Sequence, residues 1–129
     1  MGPFSVTGQP NAMGGREVGG LANVLATHLD IENAAHRDAV QAFWGSPTIC
    51  DAPGLKAVDL CEACAACKIK ALWVMSTNPA VSLPDAQGVA EAIAAVPFTV
   101  VSDIMARTDT GELADVLLPA AAWGEKSGT

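Results

Sequence analysis

The stretch Ile69-Lys70-Ala71-Leu72-Trp73-Val74-Met75-Ser76-Thr77-Asn78-Pro79 decides how the chain folds. Residues 69–75 are short and almost wholly apolar, which is the profile of a strand covered on both faces rather than of an amphipathic helix. Ser76-Thr77-Asn78-Pro79 breaks the strand, because proline has no N–H to give to a ladder. Ser82-Leu83-Pro84-Asp85 then offers a capping box for a helix that carries Val89, Ile93 and Val96 at i, i+4 and i+7 and stops at Pro97. Phe98-Thr99-Val100-Val101-Ser102 reads as a second strand, closed by Asp103, and residues 116–118 as a third. Between them, Asp109-Thr110-Gly111-Glu112 is a further possible helix start. Buried-type strands that alternate with helices predict an open α/β arrangement. Its sheet is mainly parallel, with right-handed crossovers and flanking helices in the Rossmann-like manner.

Upstream, Leu55, Val58, Cys61 and Ala65 recur at helical spacing, with lysines toward the end where they complement the helix dipole, so a helix is expected over residues 55–68. Asn33 is a good N-cap for a helix that runs to Trp44, where Gly45-Ser46-Pro47 ends it. Leu21, Val24, Leu25 and Leu29 also have helical spacing and predict a helix. The glycine-rich residues 2–20 show neither period and read as a loop. The chain therefore divides into a glycine-rich loop with a helical connector, residues 1–53, and an α/β portion, residues 54–129.

Composition excludes several functions. With 129 residues, half of them apolar, the chain has the size of one domain or of a piece of a larger one, and it is not a disordered tail. Only 16% of the residues are charged, which suits a chain with much of its surface against other protein. The net charge of -7 and seven scattered basic residues speak against a nucleic-acid partner, which needs clustered cations. The longest nearly apolar run is residues 92–101, whereas a membrane span needs about twenty residues. The first residues have neither the basic start nor the apolar core of a secretory signal. Three of the four cysteines crowd into residues 61–67, unlike a secreted disulfide framework, so a reducing, cytoplasmic setting is expected.

In an open parallel sheet, ligands bind beyond the carboxyl ends of the strands. Two polar clusters fall there. Ser76, Thr77, Asn78 and Ser82 offer hydroxyls and an amide to a nucleotide, and Asp103 offers a carboxylate that accepts two parallel hydrogen bonds from a guanine edge or a ribose diol. The same residues are also ordinary turn and cap formers. The glycine-rich loop contains neither a dinucleotide fingerprint nor a P-loop. Cys61-Glu62-Ala63-Cys64-Ala65-Ala66-Cys67 has the spacing of a ferredoxin cluster, but Ala71 stands where the fourth cysteine belongs. On an intact helix, cysteines three apart drift by about 60° per step, which keeps the thiols from converging. His28 and His36 lie outside any ligand motif and are expected in surface or packing roles.

Taken together, the motifs carry a resemblance. Residues 2–20, Gly-Pro-Phe-Ser-Val-Thr-Gly-Gln-Pro-Asn-Ala-Met-Gly-Gly-Arg-Glu-Val-Gly-Gly, resemble a loop of bacterial assimilatory nitrate reductases, within the dimethyl-sulfoxide-reductase class of molybdopterin oxidoreductases. The stretch from Ile69 to Pro79 follows in that family's order. So do Val100-Val101-Ser102-Asp103, Ala114-Asp115-Val116-Leu117-Leu118-Pro119 and Trp123-Gly124-Glu125-Lys126.

The resemblance implies an internal piece of a multidomain enzyme, inactive by itself, that contributes to one of two molybdopterin guanine dinucleotides (Mo-bis-MGD). It places Thr7 and Gln9 in the catalytic surroundings of the molybdenum. Gly8, Asn11, Ser76, Thr77, Asn78, Ser82 and Asp103 become cofactor-binding residues, with Asp103 at the guanine end. It further implies nitrate as substrate and an electron-donor protein or reductase subunit as partner. The remaining domains of the same polypeptide would carry a 4Fe-4S cluster. Formate dehydrogenases of the class carry arginine where Thr7 stands, which tilts the reading toward nitrate. Two alternatives stay open: a formate-dehydrogenase-type enzyme, and a stand-alone α/β binding module with a cysteine-ligated cluster.

Overall fold

A computed structural model describes residues 12–127. The chain forms two compact units, Met1–Lys56 and Ala57–Thr129.

In the first unit, helix α1 (Ala12–Glu17) is followed by a single 3-10 turn, Ala26–His28, and by helix α2 (Ala34–Trp44). Of the loop expected over residues 2–20, the part from Ala12 to Glu17 is corrected to helix α1, residues 18–20 are irregular as expected, and residues 2–11 lie outside the described residues. Ala12, Met13, Arg16 and Glu17 are helix formers, and in this short segment they outweigh Gly14 and Gly15. Gly19 then turns the chain at φ +82°, where a Cβ would lie 2.9 Å from the backbone nitrogen of Ala26. The helix expected over residues 21–29 is also corrected. The Leu25 N–H donates to the Leu29 carbonyl at 2.8 Å, and Val24 bridges Asp30, which closes a tight loop around the 3-10 turn. Helical spacing over so few residues is satisfied equally well by a loop that buries Leu25 with Ile31 and Val40. Helix α2 forms as expected. The Asn33 side chain accepts from the Ala35 and His36 N–H groups, and Gly45 ends the helix in the left-handed conformation at φ +61°. His36 Nδ1 accepts from the Asp30 N–H at 3.0 Å, a local packing role.

The second unit begins with helix α3 (Ala57–Ala65), shorter at both ends than residues 55–68. Strand β1 (Leu72–Met75), the one-turn helix α4 (Pro79–Ser82), helix α5 (Ala86–Ala94), strand β2 (Thr99–Asp103) and strand β3 (Val116–Pro119) follow. The strands form one parallel sheet in the order β1-β2-β3. Leu72 stands opposite Thr99 and Met75 opposite Ser102; Val100 stands opposite Val116 and Asp103 opposite Pro119. The open parallel α/β arrangement is thus the one the alternation of elements predicts.

The core of this unit joins α3 to α5. Cys64, Ala92 and Val96 are buried together, with Ile69 and Leu72 packed against them. Val101 and Ile93 are fully buried, each contributing on the order of 1.5–3 kcal/mol by removal from water. The expectation that the first strand is covered on both faces is corrected. Val74 is buried, but Trp73 and Met75 on its other side are each 58% exposed, and all of β3 is exposed. The strand therefore alternates with period two, despite an apolar residue at every position. On that open face the Trp73 indole N–H donates to Ser102 Oγ at 3.0 Å.

The start of α5 is likewise corrected. Ser82 ends α4, and the helix is capped by Asp85, whose carboxylate accepts from the Gly88 N–H at 3.3 Å. Leu83 precedes Pro84, which disfavours helical backbone at Leu83; it is extended at φ -87°, ψ 155°, so the helix cannot start at Ser82 and the cap moves to Asp85. The helix start expected over residues 109–112 is a 3-10 turn, Gly111–Leu113. Among the described residues, no helix is long and apolar enough to cross a membrane.

Candidate functional site

Parallel strands bring every carboxyl end to one edge, so the residues following β1 and β2 become neighbours without being close in sequence. Ser76 leaves β1 in the left-handed conformation at φ +56°, which turns the chain off the sheet, and its N–H donates to the Ser102 carbonyl at 2.9 Å. That bond ties the tip of β1 to the tip of β2. A non-glycine residue held in this region costs of order 1 kcal/mol or more, and such positions gather at ligand-holding turns.

Asn78 is half-buried and joins the two loops more firmly. Its Oδ1 accepts from the Thr110 N–H at 3.1 Å and from the Thr110 hydroxyl at 2.6 Å. The Thr110 oxygen in turn accepts from the Ala80 N–H at 3.1 Å. Thr110 is fully buried, and 32 residues separate it from Asn78. Asp103 ends β2 half-buried. Its Oδ1 accepts from the Met105 N–H at 3.0 Å, a local turn that leaves Oδ2 available. Ser76, Thr77 and Ser82 are exposed, and among the described residues their hydroxyls take no hydrogen-bond partner.

The structure brings Ser76 and Asp103 to the ends of adjacent strands and ties Ser82 to Asn78, whose carbonyl accepts from the Ser82 N–H at 3.0 Å; among the described residues no hydrogen bond joins Asn78, Thr77 or Ser82 to Asp103. Thr7, Gly8, Gln9 and Asn11 lie outside the described residues. The set is a row of hydrogen-bonding groups. It offers three hydroxyls, one amide and one carboxylate, with no lysine or arginine among them, which suits hydrogen bonding to a base, a ribose and phosphate oxygens. It does not suit a bare metal ion. Among the described residues no group of three or more histidine, cysteine or acidic side chains is placed to hold one.

Sequence reasoning missed Thr110, which it placed in a helix start. It also missed Asp115, whose carboxylate accepts from the Thr99 N–H at 2.7 Å while its own N–H donates to the Thr99 carbonyl at 2.9 Å. That bracket fixes the start of β2 against β3. Thr110 sits among turn formers and Asp115 is a lone acidic residue just before an apolar strand; each becomes informative only once its long-range partner is known.

Three of the four cysteines lie on α3 or just past it. Cys61 is half-buried, Cys64 is buried, and Cys67 is exposed just past the end of α3. Burial raises both the Cys61 and Cys64 thiols above the ordinary thiol value, and for Cys64 proximity to Cys61 adds to the effect. A groove of about 390 Å³ runs between α3 and α5, lined by Cys61, Glu62, Asp85 and Gly88 among others. Cys50 belongs to the other unit.

The sequence is 55% identical to a nitrate reductase of Klebsiella oxytoca over 99% of this chain and 15% of that protein. It is 54% identical to a nitrate reductase of Shewanella frigidimarina over 99% of this chain and 14% of that one. A more distant match, at 36% over 95% of this chain and 17% of the relative, is the F420-dependent formate dehydrogenase subunit alpha of Methanocaldococcus jannaschii. The chain thus spans about one-seventh of the length of the first two relatives. The profile of the molybdopterin oxidoreductase family matches residues 5–129, a span that includes both strand tips and the Asn78–Thr110 link. On that match, which covers nearly the whole sequence, the chain belongs to the molybdopterin oxidoreductase family.

Proposed function

We propose that this chain is a segment of a nitrate-reducing molybdenum enzyme, in which its strand tips form one wall of a molybdopterin guanine dinucleotide site. The observation that carries the reading is the pairing of an available Asp103 carboxylate oxygen with the Asn78 amide at the ends of adjacent parallel strands. When bound, the molybdenum held by the pterins supplies the two-electron removal of an oxygen atom from nitrate, which leaves nitrite.

The residues of this chain bind and orient. Asp103 Oδ2 accepts from the N–H edge of the guanine, an edge that adenine lacks in the same arrangement, so it contributes selectivity as well as affinity. Ser76, Thr77 and Ser82 donate hydroxyl hydrogen bonds to ribose or phosphate oxygens. Thr7 and Gln9 act near the molybdenum, and Gly8 and Asn11 lie close to the pterin. The remainder of the polypeptide supplies a 4Fe-4S cluster and meets the electron donor. The crowding of unpaired thiols near α3 supports a reducing, cytoplasmic setting. The boundary between the pterin-side connector and the nucleotide-binding portion falls near residues 53–54.

A formate-oxidising enzyme of the same family is the second reading, favoured by the match to the formate dehydrogenase subunit. The Thr7 position separates the two by its resemblance to nitrate reductases.

Asp103→Asn tests the nucleotide wall. It keeps the local turn to Met105 but replaces one carboxylate oxygen with an NH2 group that faces the donors of guanine. Affinity of the cofactor-free, full-length polypeptide for GDP falls about 10- to 100-fold, while binding of ADP stays weak and unchanged. Equal GDP binding by the variant and the parent removes Asp103 from the site and the reading with it.

A further inference from the structure

We infer that Thr110 is a positioning residue for the guanine-nucleotide site, fixing the Asn78 amide so that Asn78 meets its ligand only as a hydrogen-bond donor. The inference rests on the nucleotide reading above and adds to it both a residue and a polarity.

The amide of an asparagine has two faces, one accepting and one donating. Which face points where is settled here by the Thr110 N–H, because a backbone N–H can only donate. It lies 3.1 Å from the Asn78 side chain, so the atom it meets is the carbonyl oxygen Oδ1. The Thr110 hydroxyl, 2.6 Å from the same oxygen, donates to it as well, since Oδ1 has no proton to give. The hydroxyl oxygen keeps its lone pairs for the Ala80 N–H.

Three hydrogen bonds between two segments therefore converge on one fully buried threonine. Flipping the Asn78 amide would put NH2 against two donors and leave both unpaired. The orientation is locked. What remains is Nδ2, which among the described residues has no partner.

Asn78 consequently presents N–H and no acceptor at the end of β1, while Asp103 presents an acceptor and no donor at the end of β2. The two strand tips read opposite chemistry. An N–H edge of a base is accepted at Asp103, and an oxygen of the nucleotide, whether phosphate, ribose or base carbonyl, is received at Asn78. Thr110 touches no ligand in this account. Its part is to hold the Asn78 amide and, through Ala80, the helix turn that follows it.

The test uses three variants in the full-length polypeptide prepared without its cofactor, with GDP as probe. Asn78→Asp keeps both bonds from Thr110, now to a carboxylate, but replaces the donor with an acceptor. Thr110→Val keeps the shape and removes the hydroxyl, and Thr110→Ser restores it. We expect Asn78→Asp to melt near the parent temperature yet bind GDP about 10- to 100-fold more weakly. Thr110→Val binds GDP several-fold more weakly although Asn78 is intact, and Thr110→Ser recovers the parent affinity. Repeating the series with guanosine identifies the acceptor. A loss confined to GDP assigns it to the phosphates, and a loss with both assigns it to ribose or base. Parent-like GDP binding by Asn78→Asp or by Thr110→Val overturns the inference while leaving the nucleotide site standing. Absence of GDP binding by the parent overturns both.

Discussion

Val101 and Val116 offer the same chemistry in opposite surroundings. Val101 lies at the centre of the middle strand with no exposed surface, whereas Val116 on the edge strand is 38% exposed. Truncating Val101 to alanine removes two methyl-sized groups from water-free packing, about 1.6 kcal/mol by transfer. The space left between the sheet and its helices adds a cavity contribution of roughly 1 kcal/mol, since such sites relax only in part. Val101→Ala is therefore expected to destabilise the α/β unit by about 2–3 kcal/mol. For a domain of this size that corresponds to a melting shift of roughly 10–20 °C. Val116→Ala is expected to cost under about 1 kcal/mol. Urea titration followed by circular dichroism, with the 129-residue chain and both variants at matched concentration, measures the difference. Equal losses, or a larger loss at Val116, would refute the assignment of the core to the helix-covered face and of the other face to the surface.

Other perturbations follow from individual contacts. Asp115→Ala strips the acceptor from the buried Thr99 N–H and costs about 1–3 kcal/mol, read as faster hydrogen exchange at that amide; parent-like protection contradicts the bracket. Gly45→Ala meets no atom within 4 Å yet costs about 1 kcal/mol through the positive φ alone, so a neutral result in thermal melting would show that α2 ends otherwise. At pH 7–8 iodoacetamide should modify Cys50 and Cys67 well before Cys61 and Cys64. The raised thiol values keep the latter two protonated, and their reactivity grows only as pH climbs past the ordinary thiol range. Mass spectrometry that finds Cys64 labelled first would contradict its burial. The isolated chain should self-associate through the apolar open face, and Met75→Lys should lower light scattering at equal concentration; no change would acquit that face.

The sheet was legible because its strands are dense in β-branched and apolar residues and are bounded by proline and asparagine. The edge that carries the polar clusters follows once strand direction is known. What the sequence could not show is which polar atoms are already spent. Asn78 and Asp103 read equally well as turn formers and as ligand groups. They differ only because Asn78 commits Oδ1 to a threonine 32 residues away, while Asp103 commits one oxygen to a neighbour. The misread helix over residues 21–29 has a related cause. Apolar spacing reports that Leu25 is buried, but a nine-residue window does not distinguish a helix from a loop closed by the bond between Leu25 and Leu29. The two-sided burial expected of β1 failed because an unbroken apolar run records what a face is able to cover, and Trp73 and Met75 are exposed here.

The central claim, that the carboxyl ends of β1 and β2 receive the guanine nucleotide of the pterin, is tested most directly by a crystal structure of the cofactor-loaded, full-length polypeptide. The expected result is a guanine N–H within hydrogen-bond distance of Asp103 Oδ2, with a nucleotide oxygen within reach of Asn78 Nδ2. A guanine seated in the groove between α3 and α5, with neither residue in contact, would contradict it.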